Sequence, residues 1–545
     1  MPSSCWTTWR AAHPRPAGTR DGEHMSEWSS GYVTDLEYGS GFYKEQAPNH
    51  LRLVCSIFGV ETAPADGGFT YCELGCGSGL TSLILAAANP EGRFVAVDFN
   101  PAHISHARDR ARASDLTNIE FLECGFDDLA DGRAGTLPAF DFITLHGVYS
   151  WVSPTVRADI VRFIGKYLKP GGIVYVSYNS MPGWATCLPV QRLLLDVAGQ
   201  GQERSDVRIK RAVAMLEKLQ NAGAAALKDN RFVKSILKNA DLSQYPYLAH
   251  EYLNESWQPL YHADVARDLA AAKLTYVGVG DLLANFHEFM LPPEQRELVD
   301  SVESADLRET IFDICANRQF RGDVYVRGRR PMSPARREAL LRQLRLILLV
   351  PRSEFALKMA MPAGEANLSP ETYGTIADAL AERPQLVGDL LDLAKRKTAR
   401  VTQASEIVAT LVGSGRAMIL KESGSAADQV RADRLNAVLL DRVDEMESNR
   451  QVGLAVASLG TGLHCGFLQA LLFRARIAGA EDIVEHATRE AMRIFAARGE
   501  KVLKEGQPVV GETEAMAAVR DSVRQIADRT ISVWQKILPL LRRRE

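Results

Sequence analysis

The sequence lacks a CxxC pair, a bias of charge and an internal repeat and shows no visible secretory signal, and each absence lowers the expectation of a class of protein. Its eight cysteines (Cys5, Cys55, Cys72, Cys76, Cys124, Cys187, Cys315, Cys465) are scattered over 545 residues. No disulfide framework or zinc ribbon fits that spacing, and a reducing, cytoplasmic setting is expected. Lys and Arg number 64 against 67 Asp and Glu, a net charge of −3. No global attraction to nucleic acid follows from so even a balance. The first 24 residues hold no apolar core, and Asp21 and Glu23 weigh against an organelle-targeting segment. Residues 1–36 are expected to form a disordered extension, with Met25 as the natural start. Gln451–Phe473 contains no charged residue, but its glycines, Gln451, His464 and Gln469 make it a buried helical segment rather than a membrane span.

What is present is ordinary globular composition, 46% hydrophobic and 24% charged, in a chain long enough for two to four domains. Between Phe69 and Asn179, short β-rich runs (Phe69–Leu74, Arg93–Val97, Ile119–Cys124, Phe140–Leu145, Ile173–Tyr178) alternate with helical ones. Continuous apolar strands separated by helices predict a doubly wound, mostly parallel α/β sheet covered on both faces. Past Pro189 the chain turns helical and polar as far as Asn239. Two later runs, Leu274–Gly278 and Asp323–Arg327, are expected to complete a seven-stranded sheet. The expected division is a core over 37–189, a helical insertion and second domain over 190–330, and a mostly helical region over 331–545. Ser333–Pro334 and Ser369–Pro370 each place a capping Ser before a Pro at the first helical position. This last region is expected to hold its own core, with strands at Glu354–Met361 and Ala417–Leu420 and a final helix over Glu512–Leu538.

The strongest chemical signal is Tyr71–Gly79, YCELGCGSG, between the first strand and its helix. Gly75, Gly77 and Gly79 let the backbone turn sharply and approach a ligand where a side chain would intrude. The following helix aims its free N–H groups at that turn. Glu73, at the strand's end, is placed to attract a ligand's cationic end. A dinucleotide fingerprint would need its third glycine at position 80, which is Leu80. The spacing GxGxG with an acid two residues earlier instead resembles motif I of the class I S-adenosylmethionine-dependent methyltransferases. Asp98 ends the next strand, 25 residues beyond Glu73, where a carboxylate can accept both hydroxyls of a ribose. In that resemblance Gly125, Phe126 and Asp127 contact the adenine, although Asp127 and Asp128 also read as plain loop acids.

The run LHGVYSWVSP after the fourth strand emerges at the carboxyl end of the sheet, where open α/β folds bind ligands. The resemblance puts it beside the sulfonium and the acceptor. His146 is a candidate general base and cofactor neighbour, and Tyr149 and Trp151 are candidates to line the acceptor channel. Met181–Trp184 is expected to close the other side of the cleft. A sulfonium is an activated methyl donor, so no metal is expected; His103 and His106 share a helix face without further ligands nearby.

Four further segments, APNHLRLV (Ala47–Val54), SYNSMPGW (Ser177–Trp184), HEYLNESWQPLY (His250–Tyr261) and RQFRGDVYVRG (Arg318–Gly328), resemble bacterial methyltransferases with a methyltransferase regulatory domain. The rickettsial protein-lysine methyltransferases acting on outer-membrane proteins belong to that group. The resemblance spans Tyr38 to Gly328 and implies S-adenosylmethionine as cofactor, a homodimer, and extra domains that shape acceptor access. A nitrogen acceptor, with protein lysine foremost, is the expectation. A small-molecule methyltransferase and a non-catalytic cofactor-binding protein are the rival readings.

Overall fold

The computed structural model describes residues 31–36, 41–63, 68–240, 244–421, 425–446, 451–504, 507–534 and 537. The expected tail through residue 30, Met25 included, lies outside the described residues.

Seven strands form one sheet: β1 (Phe69–Leu74), β2 (Gly92–Asp98), β3 (Ile119–Glu123), β4 (Phe140–Leu145), β5 (Leu168–Asn179), β6 (Leu274–Val279) and β7 (Phe320–Arg327). Their spatial order is β3-β2-β1-β4-β5-β7-β6, and β7 runs antiparallel between β5 and β6. The two later runs do complete the sheet. Helices α1 (Pro48–Ile57), α2 (Leu80–Ala88) and α3 (Pro101–Ala113) pack on one face, and α4 (Phe126–Asp131) and α5 (Pro154–Tyr167) on the other. Covered on both faces, β1, β2 and β4 are apolar almost throughout, as the sequence shows. The strand order reverses between β1 and β4, which opens a crevice at the carboxyl ends of these strands. Local chemistry starts the flanking helices. Asn100 accepts from the Ala102 N–H ahead of α3 and Ser153 from the Val156 N–H ahead of α5, each followed by Pro.

Helices α6 (Leu188–Ala198), α7 (Ser205–Asn221), α8 (Arg231–Lys238) and α9 (Tyr245–Tyr252) build the insertion around Leu194, Ile209, Leu216 and Phe232. The chain then returns to the sheet. A network of buried charge locks β7 there: the Arg321 guanidinium donates to Asp323 at 2.8 Å, Asp313 at 2.7 Å and Glu309 at 2.8 Å. Tyr178 from β5 donates to Asp323 at 2.6 Å, and His262 lies 2.9 Å from the same carboxylate. The guanidinium holds the Asp323 carboxyl well below the usual carboxylate range despite complete burial. Each charged group has an opposite charge in contact, the condition under which buried charge is tolerated, although His262 Nε2 and Asp313 Oδ2 make no hydrogen bond.

The C-terminal region has its own core around Leu454, Leu471 and Val523, but it also enters the core of the sheet. The residues of α2, LTSLILAAA, are buried on every side. The inner face meets the sheet. The outer face meets helix Ala426–Asp441 and a hairpin of Gln451–Val456 and Thr461–Gly466. Ile84 fits there because the hairpin carries glycine: a Cβ at Gly453 or Gly462 would come within 2.6 or 2.7 Å of its side chain. This corrects two expectations. The uncharged stretch Gln451–Phe473 is a hairpin, turning at Gly460 (φ +59°), and only from Phe467 does it become helix. The sheet domain is also not self-contained at Gly328. Within Glu354–Met361 only Lys358–Met361 is extended, Ala417–Ile419 is a strand, and the last helix runs Glu512–Trp534. Its expected end at Leu538 lies outside the described residues. No described helix is long and apolar enough to cross a membrane.

A chain ending after Gly328 is expected to fold poorly and to lose the cofactor site, because the outer face of α2 would meet water. Exposing Ile84 alone forfeits about 1.5–3 kcal/mol. Thermal unfolding and calorimetric titration with S-adenosylmethionine check this; full-length affinity in the short chain would show that the clamp is dispensable.

Candidate active site

The carboxyl ends of β1, β2 and β4 open onto a cavity of about 700 Å³. The glycine turn forms its floor, and its three glycines are required for different reasons. A Cβ at Gly75 would lie 2.5 Å from Val148 Cγ2, and one at Gly79 would lie 2.5 Å from Phe121 Cε1. These two are demanded by packing. Gly77, with φ +54°, would point its Cβ into open space beside the cavity. That vacancy at the turn, facing the N-terminus of α2, is a cradle of the kind a bound cofactor fills.

Two carboxylates hold the turn. Asp98 Oδ2 accepts the Gly77 N–H at 2.8 Å, and Oδ1 accepts the Asn100 N–H at 2.9 Å, with His103 Nδ1 at 3.4 Å. A carboxylate has about four acceptor positions, so Asp98 retains capacity for ribose hydroxyls. Glu73 is buried, accepting from Gln46 Nε2 at 3.3 Å and from the Ser82 hydroxyl of α2. Desolvation pushes its carboxyl up to about 7. Gly125 caps α4, Phe126 reaches toward Gly75, and Asp127 stands exposed at the rim, 2.9 Å from Arg133. All three line the cavity.

His146 keeps one edge on the cavity and is otherwise enclosed by rings. It stacks on Tyr43 with centroids 3.6 Å apart, and its Nδ1 lies 3.1 Å from the Tyr175 hydroxyl. Burial lowers its pKa to about 3, so it is neutral at pH 7 and a poor proton acceptor. Tyr149 does not line the channel. It is fully buried in the core and donates to Asp268 at 3.2 Å. Its neighbour Trp151, on the opposite side of the turn, does reach the cavity. Met181–Trp184 also lies off the cavity: Trp184 stacks on Phe232 at 4.8 Å and meets Trp257 at 5.4 Å, and Trp257 meets Trp151 at 6.3 Å. This chain of rings joins the cavity wall to the helical insertion.

Tyr32 and Tyr43 were not foreseen. Both line the cavity from the segment before α1, Tyr43 held by its N–H on Thr81 Oγ1 at 3.2 Å and Tyr32 edge-on to Phe99 at 5.9 Å. Of the stretch 1–36 expected to be disordered, Tyr32 therefore packs on the site, and Val33 is buried in the insertion's core. The aromatic, glycine-rich wording of this segment was the available signal. Among the described residues, no group of three His, Cys, Asp or Glu is placed to hold a metal ion.

Gly77→Val is expected to abolish S-adenosylmethionine binding, since its branches enter the cavity and a β-branched residue strains the turn at φ +54°; thermal unfolding checks that the variant is folded. Unchanged affinity by calorimetry would sink the assignment of the turn. Glu73 sets a pH dependence. The cofactor's cationic end favours the ionised carboxyl, so below about pH 7 binding must expel a proton. Affinity is expected to rise with pH, by up to about tenfold per unit, and to level off above pH 7. Proton release, measured as a buffer-dependent heat, should vanish in Glu73→Gln; an unaltered release in that variant would assign the proton elsewhere.

Comparison with known proteins agrees with this geometry. A methyltransferase domain matches residues 72–174, and a predicted methyltransferase regulatory domain matches residues 244–327. The chain is 32% identical over 495 residues to protein sll1526 of Synechocystis, covering 91% of this chain and 96% of that one. It is 29% identical to RP789 of Rickettsia prowazekii over 53% of this chain and 51% of the relative. Among solved structures, PKMT2 from Rickettsia typhi in complex with AdoHcy shares the fold, with a TM-score of 0.63 at 18% identity. That likeness covers 92% of this chain and 99% of the other. With the glycine turn, Asp98 and the cavity between them, these matches establish that the chain belongs to the S-adenosylmethionine-dependent methyltransferases that carry a methyltransferase regulatory domain.

Proposed function

We propose that the methyl group goes to a nitrogen, and that the acceptor is the ε-amine of a protein lysine. S-Adenosylmethionine supplies an already activated methyl, so the protein's task is to orient the acceptor and keep its lone pair free. The observation that carries this reading is the neutral, ring-enclosed His146. An aliphatic hydroxyl needs a base to take its proton as it attacks, and an imidazole with a pKa near 3 does not serve. A neutral amine attacks unaided. The rings of Tyr32, Tyr43 and Trp151 favour a cationic group arriving from water, and the carboxylates of Asp127, Asp128 and Asp159 stand at the same cavity. The resemblance to the rickettsial protein-lysine methyltransferases supports the same acceptor.

At pH 7 roughly one free lysine side chain in 2,500 is neutral. Turnover is therefore expected to climb between about pH 7 and about pH 9, above the range in which Glu73 controls cofactor binding. Trp151→Ala is expected to lower turnover about tenfold or more while cofactor affinity changes little. The assay is isotopically labelled methyl transfer to lysine-containing polypeptides, lysate proteins and small metabolites, with the modified atom identified by mass spectrometry. A flat pH profile, or label found on oxygen or on a metabolite alone, would discard the lysine reading.

A further inference from the structure

A second cavity, of about 210 Å³, lies where the segment before α1 meets the C-terminal region. Its body is apolar, with Leu53, Val412 and Met418 in the wall; Lys44, Asn49, His50, Thr461 and His464 add polar groups, and burial lowers the pKa of His464. Lys44 lines it with no carboxylate in ion-pair range among the described residues; the adjacent Glu45 packs its methylenes near Gly280, and its charge acts on His50 and His464 of the same cavity. Thr461 is 1% exposed, and its hydroxyl oxygen has no hydrogen-bond partner. A buried hydroxyl without a partner costs stability unless something supplies one. His50 also lines the cavity, but its Nε2 is engaged by the Gly280 carbonyl at 2.6 Å and burial lowers its pKa, so Lys44 is the cation there.

The short 3₁₀ turn Lys44–Gln46 lies between the two cavities: Tyr43, its N-terminal neighbour, lines the first and Lys44 the second. On one side Tyr43, just ahead of it, stacks on His146, and Gln46 donates to Glu73. On the other side stands Lys44. Three consecutive residues cannot shift independently within one helical turn, so a group that fixes Lys44 also fixes its neighbours.

We infer that this second cavity binds a small carboxylic acid with a compact apolar body, and that its occupant tightens cofactor binding through the Lys44–Gln46 turn. The volume suits one ring and a carboxylate: an apolar cavity of about 150 Å³ accommodates benzene. The carboxylate would take the Lys44 ammonium and the Thr461 hydroxyl. The occupant favours the arrangement in which the turn is seated, which is the one that holds Tyr43 and Gln46 in the cofactor site. By linkage, cofactor and acid must then strengthen each other by the same factor.

Benzoate is the probe, with benzyl alcohol as its uncharged counterpart, titrated calorimetrically into the full-length protein. Saturable benzoate binding is expected, weakened about tenfold or more in Lys44→Met and in Thr461→Val. Saturating benzoate is expected to lower the dissociation constant for S-adenosylmethionine by at least about fivefold. Met418→Trp, which fills the cavity, should abolish both effects, and circular dichroism verifies that each variant is folded. No saturable heat with the wild type, equal affinity for benzyl alcohol, or benzoate affinity unchanged in the folded variants would overturn the site. Binding that leaves cofactor affinity unmoved would overturn its coupling. None of these readouts involves the methyl acceptor, so they stand or fall apart from the lysine reading.

Discussion

The burial of α2 on every side is the constraint on which the site rests. A helix that leaves a glycine turn must be held firmly, because the turn itself has too few side chains to hold anything. Here the sheet grips one face and the C-terminal hairpin the other. The helix in turn fixes the polar parts of the cavity. Ser82 holds Glu73 from the middle of its first turn, and Thr81 receives the N–H of Tyr43. The positions of the Glu73 carboxyl and of the ring that covers His146 are both consequences of one packed helix. Polar contacts of this kind contribute only modestly by themselves, and the apolar burial around them makes them rigid.

The segment matched as a regulatory domain, residues 244–327, is not an appendage. It supplies β6 and β7, and β7 pairs with β5 along Ile173–Asn179. The Arg321 network ties it further, since Tyr178 on β5 and His262 at the start of the helix His262–Ala270 share the Asp323 carboxylate. Removing one partner would strand the others without water, which makes the network a lock on register rather than a source of net stability. The segment also reaches the cavity directly, since Ser256 lines it and Trp257 stands in the ring chain between Trp151 and Trp184.

Most of the sheet was legible because strands covered on both faces must be apolar, and their spacing by helices fixes the winding. Glu73, the three glycines and Asp98 were legible for a related reason: each sits at a strand end, where backbone geometry alone decides what a residue faces. Orientation within a loop is another matter. Tyr149 and Trp151 are two residues apart in one turn, and nothing local says which faces the core. The approach of Tyr32 and Tyr43 depends on contacts 38 or more residues away in the chain, such as that of Tyr43 with Thr81. The uncharged stretch from Gln451 misled because short apolar runs suit strand and helix alike. Its glycines marked where another helix comes close.

That close approach also constrains how this chain can change over generations. Ile84 and the two glycines opposite it, Gly453 and Gly462, sit in regions that a family-by-family parsing would treat as separate modules. A larger side chain on either partner is blocked by the other, so the pair can drift only together. The packing thus couples the catalytic sheet of this chain to its helical end. An exchange of the C-terminal region between distant relatives would have to bring along a matching α2, and with it the helix that carries the cofactor turn.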